Sequence, residues 1–153
     1  KVYYNLYNVS SIGLRFFTVY GPWGRPDMSY YKFLNLYRQN KEIEIYNEGD
    51  HERDFTHISD VVSGIIKAMN SDIKIGVYNL GNNKTVKLMD FIKELEKVFG
   101  ISFNKRFIPM QPGDVHKTYA DIEKTIKDLN WTPKVNISEG LKEFAEWYNN
   151  YYK

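Results

Sequence analysis

Residues 14–27 read LRFFTVYGPWGRPD. The first seven are dense in apolar and β-branched side chains, the pattern of a buried strand in a parallel sheet. Gly21-Pro22 stops the strand, and Trp23 to Pro26 continues as a loop. In open α/β sheets, ligands sit beyond the carboxyl ends of strands. Thr18 therefore offers a hydroxyl near such an end. Arg25 offers a planar fork suited to a carboxylate or phosphate. The same residues fit equally a buried strand followed by a surface arginine.

Outward from this run, strands and helices alternate, which predicts an α/β fold. Residues 2–8 read as the last turns of a helix with Asn8 as its cap. Asp27 is placed to cap a helix over 28–39. Ile43, Ile45 and Tyr46 suggest a short strand, followed by a polar turn over 47–52 and an extended piece over 55–58. Ser59 or Asp60 then caps a helix with Val61, Val62, Ile65, Ile66 and Met69 as its apolar stripe. Residues 76–80 form a strand. Residues 86–99 give the clearest helix, with Leu88, Phe91, Ile92, Leu95, Val98 and Phe99 on one face and Gly100 at its end. A strand over 103–108, a loop over 109–113, a short helix capped by Asp121 and a last helix capped by Ser138 complete the chain.

Composition narrows the function. With 21 basic and 19 acidic residues the net charge is +2, and there is no broad basic face for nucleic acid. No apolar run is long enough for a membrane span. There is no cysteine, so disulfides and thiolate metal sites are excluded, and His51, His57 and His116 lack metal-ligand spacing. No signal segment is visible, so a cytoplasmic location is expected. The chain begins at Lys1 without an initiator Met, which suggests a piece of a longer protein.

Two further stretches carry polar groups that a fold alone does not require. In GDHERDFTHISD, residues 49–60, Arg53 lies between a polar turn and a short apolar strand. An arginine there can neutralise a diphosphate, or form an ordinary loop ion pair. Asp54 suits pairing with it or accepting backbone N–H groups, and His57 suits a structural role better than a catalytic one. In MQPGDVHKTYAD, residues 110–121, a Pro-Gly turn presents Gln111 and Asp114. An amide and a carboxylate at that separation can grip ribose hydroxyls, or simply cap the turn.

In this order, the three stretches resemble the extended short-chain dehydrogenase/reductase enzymes that act on nucleotide sugars. The similarity is greatest to UDP-glucuronate 4-epimerases, and RFFTVYGPWGRPDM at 15–28 is its most specific part. The resemblance implies the C-terminal, substrate-binding part of a Rossmann-fold enzyme. Residues 1–22 would be a remnant of the Rossmann domain, and residues 23–153 the nucleotide-sugar-binding domain. It implies NAD as cofactor, a UDP-sugar such as UDP-glucuronate or UDP-galacturonate as substrate, and a homodimer at full length.

Carried over by position, Thr18 and Arg25 would hold the sugar carboxylate, and Glu44 and Tyr46 would lie at the uracil. Arg53 would bind the diphosphate, and Gln111 and Asp114 the ribose or adjoining phosphate. Phe17 would line the nicotinamide end of NAD, with Tyr20 and Pro22 shaping the turn over it. The family's Gly-rich phosphate turn does not occur in these 153 residues, and by the register of the resemblance its catalytic Tyr-x-x-x-Lys pair would lie upstream of Lys1, so no catalytic residue is assigned and the chain alone is expected to be inactive. A related dehydratase, a decarboxylase, an amino-sugar epimerase and a non-catalytic nucleotide-sugar-binding protein are the competing readings.

Overall fold

The run at 14–20 is not one strand. In the computed structural model, which describes all 153 residues, it is split at Phe17 between two sheets. Helix α1 (Val2–Tyr7) ends at Asn8 in the left-handed conformation. Strand β1 (Ser11–Phe16) is followed by β2 (Thr18–Tyr20), then α2 (Ser29–Arg38), β3 (Ile43–Tyr46) and a single 3₁₀ turn (Asn47–Gly49). Next come β4 (Glu52–Arg53), β5 (Phe55–His57), α3 (Ile58–Met69), β6 (Ile75–Leu80) and β7 (Val86–Lys87). Helix α4 (Leu88–Phe99), β8 (Lys105–Ile108), α5 (Glu123–Leu129) and α6 (Ile137–Tyr151) follow.

Four strand pairs result. β1–β6, β2–β5 and β3–β8 are parallel, and β4–β7 is antiparallel. The expected burial of the first strand holds only at its end. Tyr20 is 1% exposed, whereas Phe16 is 50% exposed and α1 buries nothing. β1 pairs only with β6, and of its apolar side chains Ile12 and Leu14 are half-buried while Phe16 is left open.

Two cores form. The larger unites Tyr20, Tyr30, Phe55, Phe91 and Phe144 beneath β2, β3 and β5. Phe55 stacks on Phe91 at 4.1 Å, and Tyr30 meets Phe144 edge-on at 4.9 Å, both favoured aromatic geometries. Helix α4 contributes Phe91, Ile92 and Leu95 as sequence spacing predicts, and Gly100 ends it at φ 63. There the Ile101 N–H reaches back to the Glu96 carbonyl, the bonding that a left-handed glycine permits. The smaller core gathers Tyr78, Leu80, Ala120, Ile122 and Trp131 against α3.

Several capping expectations are corrected. Helix α2 starts after Met28, and Asp27 is instead drawn into an ion pair with Arg25. Helix α3 starts at Ile58 with His57 in the cap position, two residues too early for Ser59 to cap it and three for Asp60. The Ser59 hydroxyl bonds to His57 Nδ1 at 2.8 Å, and the Asp60 carboxylate accepts the Lys134 and Val135 N–H groups at 3.0 Å each. Helix α6 is capped by Asn136, which accepts the Glu139 N–H, while Ser138 donates to Glu94. Asp121 does accept the Glu123 N–H at the start of α5. The α3 stripe is rotated from expectation: Val61, Gly64 and Ala68 are buried, whereas Val62, Ile66 and Met69 are exposed.

Helix α6 passes close to the β2–β5 pair at Gly140. A Cβ there would stand 2.7 Å from the His57 ring and overlap the Tyr20 hydroxyl. Gly140→Ala is therefore expected to destabilise the chain by about 1–2 kcal/mol, overpacking outweighing the gain in helix propensity. A urea midpoint at or above that of the parent chain would contradict this.

Burial also holds the His57 imidazole below the ordinary histidine value of 6.5, with Glu143 and Asp60 pulling the other way. The unfolded chain thus takes up the proton first. Stability is complete above 6.5 and falls as pH drops through the lower folded value. The urea midpoint should fall between about pH 7.5 and 5.5, and by less in His57→Gln. An equal fall in both proteins would assign the effect elsewhere.

Candidate functional site

A cleft of about 750 Å³ opens over the larger core, where β3, β4 and β5 face α2. Its walls include Thr18, Asp27, Lys32, Glu44, Tyr46, His51, Arg53, Phe55, Arg106 and Asp114. A cleft of this size suits a small-molecule ligand.

Each wall residue is placed by the local fold. Thr18 opens β2, and its N–H bonds to the Asp54 carbonyl at 3.0 Å. Glu44 and Tyr46 lie two apart on β3, and the Tyr46 hydroxyl donates to Glu44 at 3.4 Å. Glu44 is also opposite Arg106 in the β3–β8 register and pairs with it, and that hydrogen bond holds the Glu44 carboxyl below its ordinary value.

Arg53 is fixed by its surroundings. One guanidinium nitrogen donates to the Glu52 carbonyl at 3.0 Å and to the His116 carbonyl at 3.1 Å. The other donates to Asp114 Oδ1 at 2.9 Å. Asp114 also accepts the Val115 N–H at 2.8 Å. The arginine is 20% exposed, so its charge is presented at the cleft wall while its stem is held.

Beneath this wall, Asp54 is fully buried. Its carboxylate accepts N–H groups from Asn82 (2.7 Å), Asn83 (3.1 Å) and Ala120 (3.2 Å), and the Thr56 hydroxyl at 3.0 Å. Of the two roles open to it in sequence, it takes the backbone one. It ties β5 to the turn after β6 and to the segment before α5. His57 is buried outside the cleft lining, with Nδ1 on Ser59 and Nε2 3.6 Å from Glu143.

Thr18, Glu44, Tyr46, Arg53 and Asp114 are thus brought together, and Arg25, Gln111, Phe17, Tyr20 and Pro22 are not. Arg25 is 73% exposed and forms a bidentate pair with Asp27, at 2.7 and 3.1 Å, which lowers the Asp27 carboxyl. Gln111 is exposed and holds the loop through its carbonyl, which accepts the Asp114 N–H at 3.2 Å. Phe17 and Pro22 are half-buried. Tyr20 is a core residue whose hydroxyl donates to the Asn136 carbonyl at the start of α6.

His51, Lys32 and Arg106 line the cleft but were not singled out in sequence. His51 stands two residues before Arg53, and in extended backbone such residues share a side, so a signal existed for it. Arg106 had none, because the β3–β8 pairing that carries it to Glu44 joins distant segments.

The sequence profile of the NAD dependent epimerase/dehydratase family matches residues 1–81, just over half of the chain. The chain belongs to this family. Among its family relatives, an uncharacterized protein of Methanocaldococcus jannaschii is 55% identical over 147 residues, covering 96% of this chain and 45% of that protein. UDP-glucuronate 4-epimerase 6 of Arabidopsis thaliana is 38% identical, over 98% of this chain and 36% of that enzyme. The crystal structure of a Bacillus cereus UDP-glucuronic acid 4-epimerase, in complex with UDP-glucuronic acid and NAD, superposes with a TM-score of 0.89. It is 34% identical, with 99% of this chain and 49% of that chain covered. The fold is that of the C-terminal half of a Rossmann-fold epimerase of the extended short-chain dehydrogenase/reductase type. The chain spans about half the length of the proteins it matches, or less. None of its helices is long and apolar enough to cross a membrane.

Proposed function

We propose that this chain forms the nucleotide-sugar-binding wall of an NAD-dependent epimerase acting on UDP-glucuronate or UDP-galacturonate. The observation that carries the reading is Arg53, clamped by two backbone carbonyls and aimed along a cleft shared with Thr18, Glu44, Tyr46 and Asp114. An arginine so held loses little freedom on binding a diphosphate, which is how preorganisation raises affinity. Tyr46 and Glu44 offer a flat ring and polar edges to a base in the same cleft. The residues present fit the edge of a cofactor only at Phe17 and Pro22, whose half-open faces lie at the end of β1 and after β2. NAD, when bound, supplies the hydride acceptor for oxidation at the sugar. This chain holds the nucleotide so that the sugar beyond Thr18 is free to turn. Residues 1–22 would belong with the cofactor side and residues 23–153 with the sugar-nucleotide side.

One observation bears on which sugar is accepted. Arg25 is engaged by Asp27 and stands outside the cleft lining, so a carboxylate clamp with Thr18 requires that pair to open. If it does, Arg25→Ala weakens UDP-glucuronate and leaves UDP-glucose unchanged. An equal effect on both would favour an enzyme of a neutral sugar.

The test is calorimetry of the chain with UDP, UDP-glucuronate and NAD separately, alone and fused to the Rossmann half of a family relative. UDP and UDP-glucuronate should bind in at least the fused form. Failure of both forms to bind either ligand would overturn the reading.

A further inference from the structure

The Arg53–Asp114 pair poses a problem for any anion that enters the cleft. Asp114 Oδ1 occupies one Arg53 nitrogen at 2.9 Å, and its negative charge lies where a diphosphate would approach. An incoming phosphate oxygen must draw that nitrogen away, leaving the carboxylate with the Val115 N–H at 2.8 Å and an unbalanced charge beside the ligand. One other donor is near. His51 is 4% exposed, lines the same cleft, and its Nε2 has no hydrogen-bond partner in the chain. That nitrogen is 3.4 Å from Asp114 Oδ2, the oxygen that Arg53 does not use. A shift of about half an ångström brings it into hydrogen-bond range.

We propose that His51 is a positioning residue of the phosphate site: its Nε2–H takes over Asp114 when a diphosphate draws Arg53 away, and so holds the carboxylate off the anion. The two partners of Asp114 then alternate between the empty and the filled cleft. Burial suits His51 to this task, because a ring packed out of water has little freedom to lose. This inference rests on the diphosphate reading of the cleft.

The experiment is UDP titration, by calorimetry, of whichever form of the chain binds it, alone or fused. His51→Leu should weaken UDP about tenfold, the order expected for one charge-assisted hydrogen bond. His51→Gln, which keeps a donor near the same place, should recover most of that loss. In an Asp114→Ala background, His51→Leu should change affinity by less than about twofold, because no carboxylate remains to be held. In the wild-type chain, imidazole ¹⁵N shifts should move on adding UDP, as the Nε2–H form becomes fixed. Unchanged shifts would overturn the hand-over however the variants fold. So would an undiminished affinity in folded His51→Leu, or an equal loss with and without Asp114. If these fail while Arg53→Ala still abolishes binding, the His51 role alone falls. If no form binds UDP, the diphosphate reading falls and this inference with it.

Discussion

Asp54→Ala is expected to lower folding stability by about 4 kcal/mol, the upper range for a single substitution. The carboxylate is 0% exposed and accepts three backbone N–H groups and one hydroxyl. Hydrogen bonds to a charged acceptor contribute about 1.5–3 kcal/mol each, less than additively within one network. Alanine leaves the Ala120 N–H buried without an acceptor and unties the turn after β6 from β5. Asp54→Asn keeps one carbonyl and should lose about half as much. Urea unfolding of the three proteins measures both effects. A loss below about 1 kcal/mol for alanine would mean that water reaches the site and replaces the carboxylate.

Arg53→Ala is expected to weaken UDP binding about 100-fold while changing stability by less than about 1 kcal/mol. The two numbers separate because the guanidinium lies at the cleft wall, not in the core. Its partner Asp114 is 35% exposed, so the ion pair itself is screened by water and adds little to folding. Against a diphosphate the same fork makes charge-assisted bonds, and its alignment is already fixed by the Glu52 and His116 carbonyls. Arg53→Lys should recover only a small part, since a single ammonium cannot donate to both carbonyls and the ligand in that geometry. UDP affinity unchanged in Arg53→Ala would move the phosphate site elsewhere in the cleft.

The α/β class and most elements were legible because they rest on local patterns. Helix α4 shows its apolar face at regular spacing, and Gly100 marks its end. The split at Phe17 was not legible: LRFFTVY has one composition throughout, and only the pairing of β1 with β6 and β2 with β5 divides it. The caps failed for a related reason. Asp60 and Ser138 look like caps locally, but each was drawn to a distant partner, the Lys134 backbone and Glu94. In the cleft, Arg53 and Asp114 were each singled out, yet their contact spans 61 residues and no local pattern carries it. Arg25 and Thr18 sit close in sequence, but only Thr18 lines the cleft, because the Arg25 guanidinium is taken up by Asp27 and left in solvent.

The three parallel ladders also set an order of events in time. Ser11 pairs with Ile75, Thr18 with Phe55, and Ile43 with Lys105, so each ladder closes a long loop before its first hydrogen bond forms. Such non-local pairing makes folding slow. During synthesis, at roughly 5–20 residues per second, β1, β2 and β3 all emerge before β5, β6 and β8, the strands they pair with here. β2 is the first to find one, once His57 has been added; β1 waits until Leu80 and β3 until Ile108. Slowing elongation between Tyr20 and Leu80 would therefore lengthen the wait of β1 for β6 rather than shorten it.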